Sequence, residues 1–154
     1  MNYEDKSVHT GKYRLNISFQ TMFCNLNITT EWEHNLITDV GRTLISNLLA
    51  GLSTDSIKGM AVGTGTTAAA NGDNVLGAEK VRKGVTPSVA GGNVTFKSDF
   101  SASEINGTTE VGLVTNTTSG GLLVTRSVHS NGAINMPSNG GLSMEYVINT
   151  ANGG

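Results

Sequence analysis

The 154-residue sequence has one cysteine, two prolines and few charged or aromatic side chains. One cysteine cannot form an internal disulfide, so Cys24 leaves the redox compartment undetermined, and its neighbours Phe23 and Leu26 favour a small buried side chain over a reactive thiol. The 12 acidic and 10 basic side chains give a net charge of −2, and no basic stripe is present. Nucleic acid and anionic membranes are therefore not expected as partners.

Long apolar runs are also lacking. No stretch is long enough to span a bilayer, and the polar start of the chain lacks the apolar core of a secretory signal, so we expect synthesis in the cytosol. Aromatic residues make up only 5% of the chain and glycines number 20. This composition favours many short strands over a thick core, and neighbouring subunits often supplement a thin core. We therefore expect an oligomer.

One sustained helical period is present, and it predicts a helix over residues 38–50. Thr38 is a suitable N-cap, and Gly51 suits a left-handed C-cap. Two adjoining apolar stripes follow i, i+4 spacing, namely Val40, Leu44 and Leu48, and Ile37, Ile45 and Leu49. Every other apolar segment is short and typical of a strand, so we expect the helix to pack across a sheet.

Strand patterns occupy most of the remaining chain. Alternation over 13–20 and 22–28 predicts a hairpin that turns at Gln20-Thr21, or one long bent strand. Further strands are predicted at 58–62, 81–89, 93–102, 110–115, 122–128 and 142–148. Pro87 places 81–89 at a sheet edge. We predict an antiparallel β-sandwich or flattened barrel as a single domain over 13–154, preceded by an N-terminal arm over 1–12.

Motifs for catalysis are weak. Gly63-Thr64-Gly65 lacks the lysine of a Walker loop and the third glycine of a dinucleotide fingerprint, which favours a strand-exit turn over phosphate binding. The three histidines, His9, His34 and His129, are far apart in the sequence, which favours solvated imidazoles over a metal site. The acidic groups are interpreted as solvated strand edges and not as a glycosidase pair, namely Glu31 and Glu33, and Asp99, Glu104 and Glu110. No serine lies in G-x-S-x-G. We predict no catalytic, cofactor-binding or metal-binding residue, and no enzyme.

Six short segments, spread in order over most of the chain, are distinctive when read together. They are EDK at 4–6, HNLIT and GR within 34–42, MAVGTGTT at 60–67, LGAE with Arg82 within 76–82, NGTTEVGL at 106–113 and LLVTR at 122–126. Together they resemble a recurrent type of small virion protein encoded in the structural-gene clusters of tailed phages and related archaeal viruses. Residues 13–30 depart from that pattern in being more apolar, which leaves open whether they pack on their own domain or on a neighbour.

The resemblance implies a non-enzymatic, β-rich virion subunit in a symmetric assembly. The expected location is the tail, the baseplate or a fibre adaptor, with capsid decoration as the alternative. Expected partners are other copies, as a trimer or ring, and other virion proteins. Candidate assembly contacts are Tyr3, Val8 and Tyr13, since an arm that orders on binding must bury apolar groups or add backbone pairs.

A glycan-binding receptor module is the rival from another class. Surface Asn, Ser and Thr could bind the hydroxyl groups of a host-surface glycan, but such a site also needs an exposed aromatic ring on which the sugar stacks. The candidate glycan contacts are Trp32 and Tyr146. A hydrolase is the third option.

Overall fold

The computed structural model describes residues 10–20 and 25–149, and within these ranges the chain forms ten strands and two helices. Their bounds are β1 (Thr10–Gln20), β2 (Asn25–Thr29), β3 (Glu33–Ile37), α1 (Asp39–Leu49), β4 (Gly59–Gly63), β5 (Glu79–Gly84), β6 (Thr86–Ala90), β7 (Asn93–Ser101), α2 (Ala102–Ile105), β8 (Glu110–Val114), β9 (Leu123–Val128) and β10 (Gly140–Asn149). Strands β4, β7, β8, β9 and β10 begin and end within two residues of the predicted bounds.

The strands form one antiparallel, nearly closed, barrel-like sheet in the order β5-β4-β8-β9-β3-β1-β10-β7-β6. The long strand β1 joins β5-β4-β8-β9-β3 on one side to β10-β7-β6 on the other. It pairs with β10 along one edge and with β3 and then β2 along the other. The barrel stays open between the two end strands of this order, β5 and β6. Next to this opening, Ser98 Oγ of β7 donates to the Gly84 carbonyl of β5 at 3.1 Å. The predicted mainly β, antiparallel fold is confirmed, in its flattened-barrel form.

Helix α1 crosses one end of this sheet. Thr38 Oγ1 accepts a hydrogen bond from Gly41 N at 3.0 Å and so caps the helix, while Gly51 has a φ of +69° just beyond its end. Gly41 packs against β9 so closely that a Cβ there would lie 2.1 Å from the Val124 carbonyl oxygen. Leu44 faces the core and is 4% exposed. The predicted helix and its packing on the sheet are confirmed.

The N-terminal part of the chain requires a correction. Strand β1 begins at Thr10, which pairs with Asn149 of β10, so residues 10–12 belong to the sheet and not to an arm. Tyr3 and Val8 lie outside the described residues. The predicted hairpin is confirmed by the pairing of Gln20 with Asn25, although Thr21, part of its predicted turn, is outside the described ranges.

Two further differences are local. The predicted strand 81–89 is divided at Val85 into β5 and β6, and β6 is the edge strand that Pro87 predicted. The four-residue helix α2 was missed, since apolar alternation in β7 continues into Ala102. A capping box begins this helix: Glu104 Oε2 accepts from Ser101 N at 2.8 Å.

Candidate functional site

Glu110, at the start of β8, is a buried and extensively hydrogen-bonded polar group. It is fully buried, and its carboxylate accepts from the backbone N–H groups of Gly65, Gly77 and Ala78 at 2.8–3.0 Å. Burial alone would raise the pKa of Glu110, but these N–H groups and Arg126 outweigh it and hold the pKa below its usual value. Glu110 is therefore a buried anchor and not the solvated strand edge that we predicted.

Arg126 of β9 completes this network. Its guanidinium is 2.9 Å from the Glu110 carboxylate and 2.8 Å from Asp73 Oδ2, and it also donates to the Thr67 carbonyl at 2.9 Å. The loop over residues 64–78 is thereby fastened to the end of the sheet. A Cβ on Gly65 would lie 2.5 Å from Glu110 Oε1, so this glycine is needed for the close approach. The N–H of Gly65, which a phosphate could have used, already binds the chain's own carboxylate.

A second buried cluster joins β1 to the end of β9. Tyr13 Oη is 3.0 Å from Glu33 Oε2 and 2.7 Å from His129 Nδ1. A carboxylate only accepts, so we assign the Tyr13 hydroxyl as the donor to Glu33. The Nδ1–H of His129 then donates to the Tyr13 oxygen. Nε2 of His129 is then an acceptor, and it is buried with no partner among the described residues.

Tyr146 extends the same cluster. Its ring stacks on that of Tyr13, with centroids 5.8 Å apart, and Asn35 Nδ2 donates to its hydroxyl. Both tyrosines are fully buried, and burial raises the pKa of each phenol. The predictions of Tyr13 as an assembly contact and of Tyr146 as a glycan contact are therefore wrong, because neither ring reaches the surface. The prediction of a solvated imidazole holds for His34 but is wrong for the buried His129.

The buried imidazole makes stability depend on pH. Burial lowers the pKa of His129, against the negative charges of Glu33 and Glu110, so the folded state holds it neutral. The unfolded chain binds a proton as the pH falls below about 6.5, and folding therefore loses at most about 1.4 kcal/mol per pH unit in that window. We expect the urea-unfolding free energy to fall from pH 7 to pH 5, and His129→Gln to reduce that slope. An unchanged slope in His129→Gln would contradict the assignment.

Trp32 lies in a shallow groove of about 310 Å³ on the outer face of the sheet. Lys12 Nζ and Arg14 Cζ of β1 lie 4.6 and 4.5 Å from the centre of its ring, within cation–π range. Glu145 binds both Arg14 and Lys97 at 2.6 Å. Hydroxyl and amide groups complete the lining, from Ser88, Asn93 and Thr95. An aromatic ring among such groups can bind a sugar, so Trp32 stays a candidate glycan contact.

An apolar groove of about 360 Å³ lies between α1 and the sheet. Its lining includes Ile45, Leu48 and Leu49 from the helix, and Val94, Phe96 and Ile148 from the strands. Thus only part of the predicted apolar face of the helix is covered: Leu49 is 80% exposed. Gly11 of β1 pairs with Ile148, which lines the groove, so the first described residues of β1 lie beside it.

Metal-ligand clusters and membrane-spanning helices are both absent from the described residues. No three side chains of His, Cys, Asp or Glu in that part of the chain are grouped so that they could hold a metal ion. Within the same residues, no helix has the length and apolar character needed to cross a membrane. Comparison with known proteins adds no relative, since no family model, no curated protein and no solved structure matches this chain.

Proposed function

We propose that this protein is a non-enzymatic structural subunit of a tailed-virus virion, located in the tail or baseplate or acting as a fibre adaptor, with capsid decoration as the alternative location. The virion context is an inference from the sequence resemblance. The structural role is supported by one observation above all, the open apolar groove beside α1.

The groove is an unfilled packing surface. Scattered apolar residues are normal on a protein surface, but Leu48 and Leu49 share one groove with Val94 and Phe96 of the sheet. Covering them would remove apolar area from water at roughly 25 cal/mol per Å².

We assign this groove to the N-terminal segment of a neighbouring copy. Residues 1–9 include Tyr3 and Val8 as the apolar candidates for this groove, and they directly precede Thr10 and Gly11 of β1, next to the groove residue Ile148. Nine residues span at most about 30 Å, which is enough to reach an adjacent subunit. Burial of the two side chains offsets the conformational entropy that the segment loses on ordering.

Deletion of residues 1–9 tests this function. The shortened protein should keep its fold, because β1 begins at Thr10, but it should fail to enter the particle or the oligomer. Leu48→Glu should have the same effect by placing a charge in the groove. Leu52→Glu is the matched control, since Leu52 is exposed but lies outside the groove lining. Mass in solution and incorporation into particles are the measurements, and normal assembly of both the deletion and Leu48→Glu would refute the proposal.

A glycan-binding receptor module is a second candidate, favoured by the groove at Trp32. Binding of host polysaccharide by the purified protein, with loss of binding in Trp32→Ala, would support this alternative. Turnover of a polysaccharide would contradict the non-enzymatic proposal altogether.

A further inference from the structure

We propose that β2 is an interface strand that pairs antiparallel with β2 of a second copy, across a twofold axis at Asn27. This inference rests on the proposed function, a symmetric assembly, and adds to it the surface and the register of one contact between copies.

Strand β2 is a free and exposed edge. It pairs with β1 on one side, and no other strand of the described chain pairs with its second side. The side chains from Leu26 to Thr29 are all exposed. Leu26 and Ile28 are 42% and 46% exposed and lie on the same face as Ile17 of β1. A row of apolar side chains therefore runs to this edge and stops there.

The other edges of the sheet are protected, and β2 is not. Natural edge strands avoid pairing with other chains through charged residues or proline. Strand β5 has charge at four of its six positions, and β6 contains Pro87. Strand β2, with the sequence NLNIT, has neither a charge nor a proline. Its composition leaves it open to a partner strand.

The backbone geometry identifies which groups are available. Thr30 N donates to the Leu15 carbonyl at 2.9 Å, so the backbone groups of Thr30 point towards β1. The register from Asn16↔Thr29 to Gln20↔Asn25 is continuous, and hydrogen-bonding direction alternates along an antiparallel strand. Ile28 and Leu26 therefore also point their N–H and C=O groups to β1. Those of Asn25, Asn27 and Thr29 point to the free edge.

This arrangement is self-complementary. A twofold axis at Asn27 makes Asn27 hydrogen-bond with its own counterpart, and Asn25 with the second copy's Thr29, so every outward backbone group gains a partner. The same register places Leu26 opposite the second copy's Ile28, on one face. Apolar side chains then meet apolar ones and polar side chains meet polar ones. A register shifted by one residue would instead place the apolar side chains of one strand opposite the polar side chains of the other.

A contact through one short strand is small. Interfaces below roughly 1,200 Å² belong to the weak class, so we expect a dimer whose population rises with protein concentration. Within a particle, other contacts raise the effective concentration and strengthen such a pairing.

Opposite charges introduced at Asn27 of the full chain test the proposed twofold axis. Directly opposed side chains lie about 5 Å apart, so Asn27→Lys and Asn27→Glu should each weaken their own dimer, by roughly threefold to tenfold. An equimolar mixture of the two should pair more tightly than either alone. Ser18→Lys is the matched control. Ser18 pairs with Asn27 and lies on the same face of the sheet, but it would be about 14 Å from the second copy's Ser18, beyond the screening length. Association is measured by sedimentation equilibrium up to about millimolar protein.

The same measurement in the Leu48→Glu background separates this inference from the proposed function. Pairing through β2 should persist there, since the groove and β2 are at opposite ends of β1. Monomeric Leu48→Glu protein at all concentrations, or equal affinity in the mixture and in the single variants, would overturn the β2 pairing. Association of the wild-type protein that Leu48→Glu weakens would still support the groove proposal. Asn27→Pro removes the central outward N–H at a position where an edge strand tolerates proline, and it should abolish the dimer while the fold remains.

Discussion

Leu44→Asp should leave the protein unfolded at neutral pH. Leu44 lies at the contact between α1 and the sheet and is 4% exposed. An ionised carboxylate there would lose its water without gaining a partner, and the cost is of the same order as the 5–15 kcal/mol that stabilises a whole domain. Circular dichroism and urea titration should show loss of the cooperative transition.

Leu49→Asp is the matched control for this prediction. It introduces the same charge on the same helix, but at a position that is 80% exposed. Its effect on the unfolding free energy should stay within about 0.5 kcal/mol. A cooperative Leu44→Asp protein with nearly wild-type stability would show that the helix does not pack on the sheet as described.

Glu110→Gln should destabilise the protein by about 3–5 kcal/mol, the range for removing one partner of a buried ion pair. The variant keeps the volume of the side chain but leaves the buried Arg126 with Asp73 as its remaining carboxylate partner. It also replaces an acceptor of three backbone N–H bonds by a group that accepts at one oxygen only. Urea unfolding gives the magnitude.

Two further variants make the interpretation specific. Asp55→Asn removes the exposed ion pair with Lys58 and should cost no more than about 1 kcal/mol. The double variant Glu110→Gln with Arg126→Met should be less destabilised than the sum of the single changes, because the two residues contact each other. Additive losses would mean that the buried pair is not coupled.

The fold could be predicted largely because its signals are local. Thr38 and Gly51 bound the helix through chemistry that acts within one turn, and alternation fixes most strands because neighbouring side chains point to opposite faces. Alternation does not say whether the apolar face of a strand packs on its own domain or on a neighbouring subunit, and for this reason Tyr13 could be predicted as an assembly contact. The buried clusters depend on strand order, since Tyr13 and His129 are 116 residues apart.

A signal for the Glu110 network was nevertheless present in the sequence. Arg126 lies within the apolar strand β9, and Glu110 opens the apolar strand β8. A charged side chain in a buried strand requires an opposite charge nearby, so the sequence alone could have predicted an ion pair between these two residues. The attachment of the loop over 64–78 could not be predicted in this way, because it uses backbone N–H groups, which every residue type except proline has.

The length of β1 has a consequence for how copies can be joined. Strand β1 has the groove beside Gly11 near one end, or pole, and β2 near the other, where Ser18 pairs with Asn27, roughly 23 Å away along the strand. A subunit with a contact at each pole has a valence of two. Copies linked alternately through these poles would continue end to end into a filament or close a large circle, instead of stopping as an isolated pair.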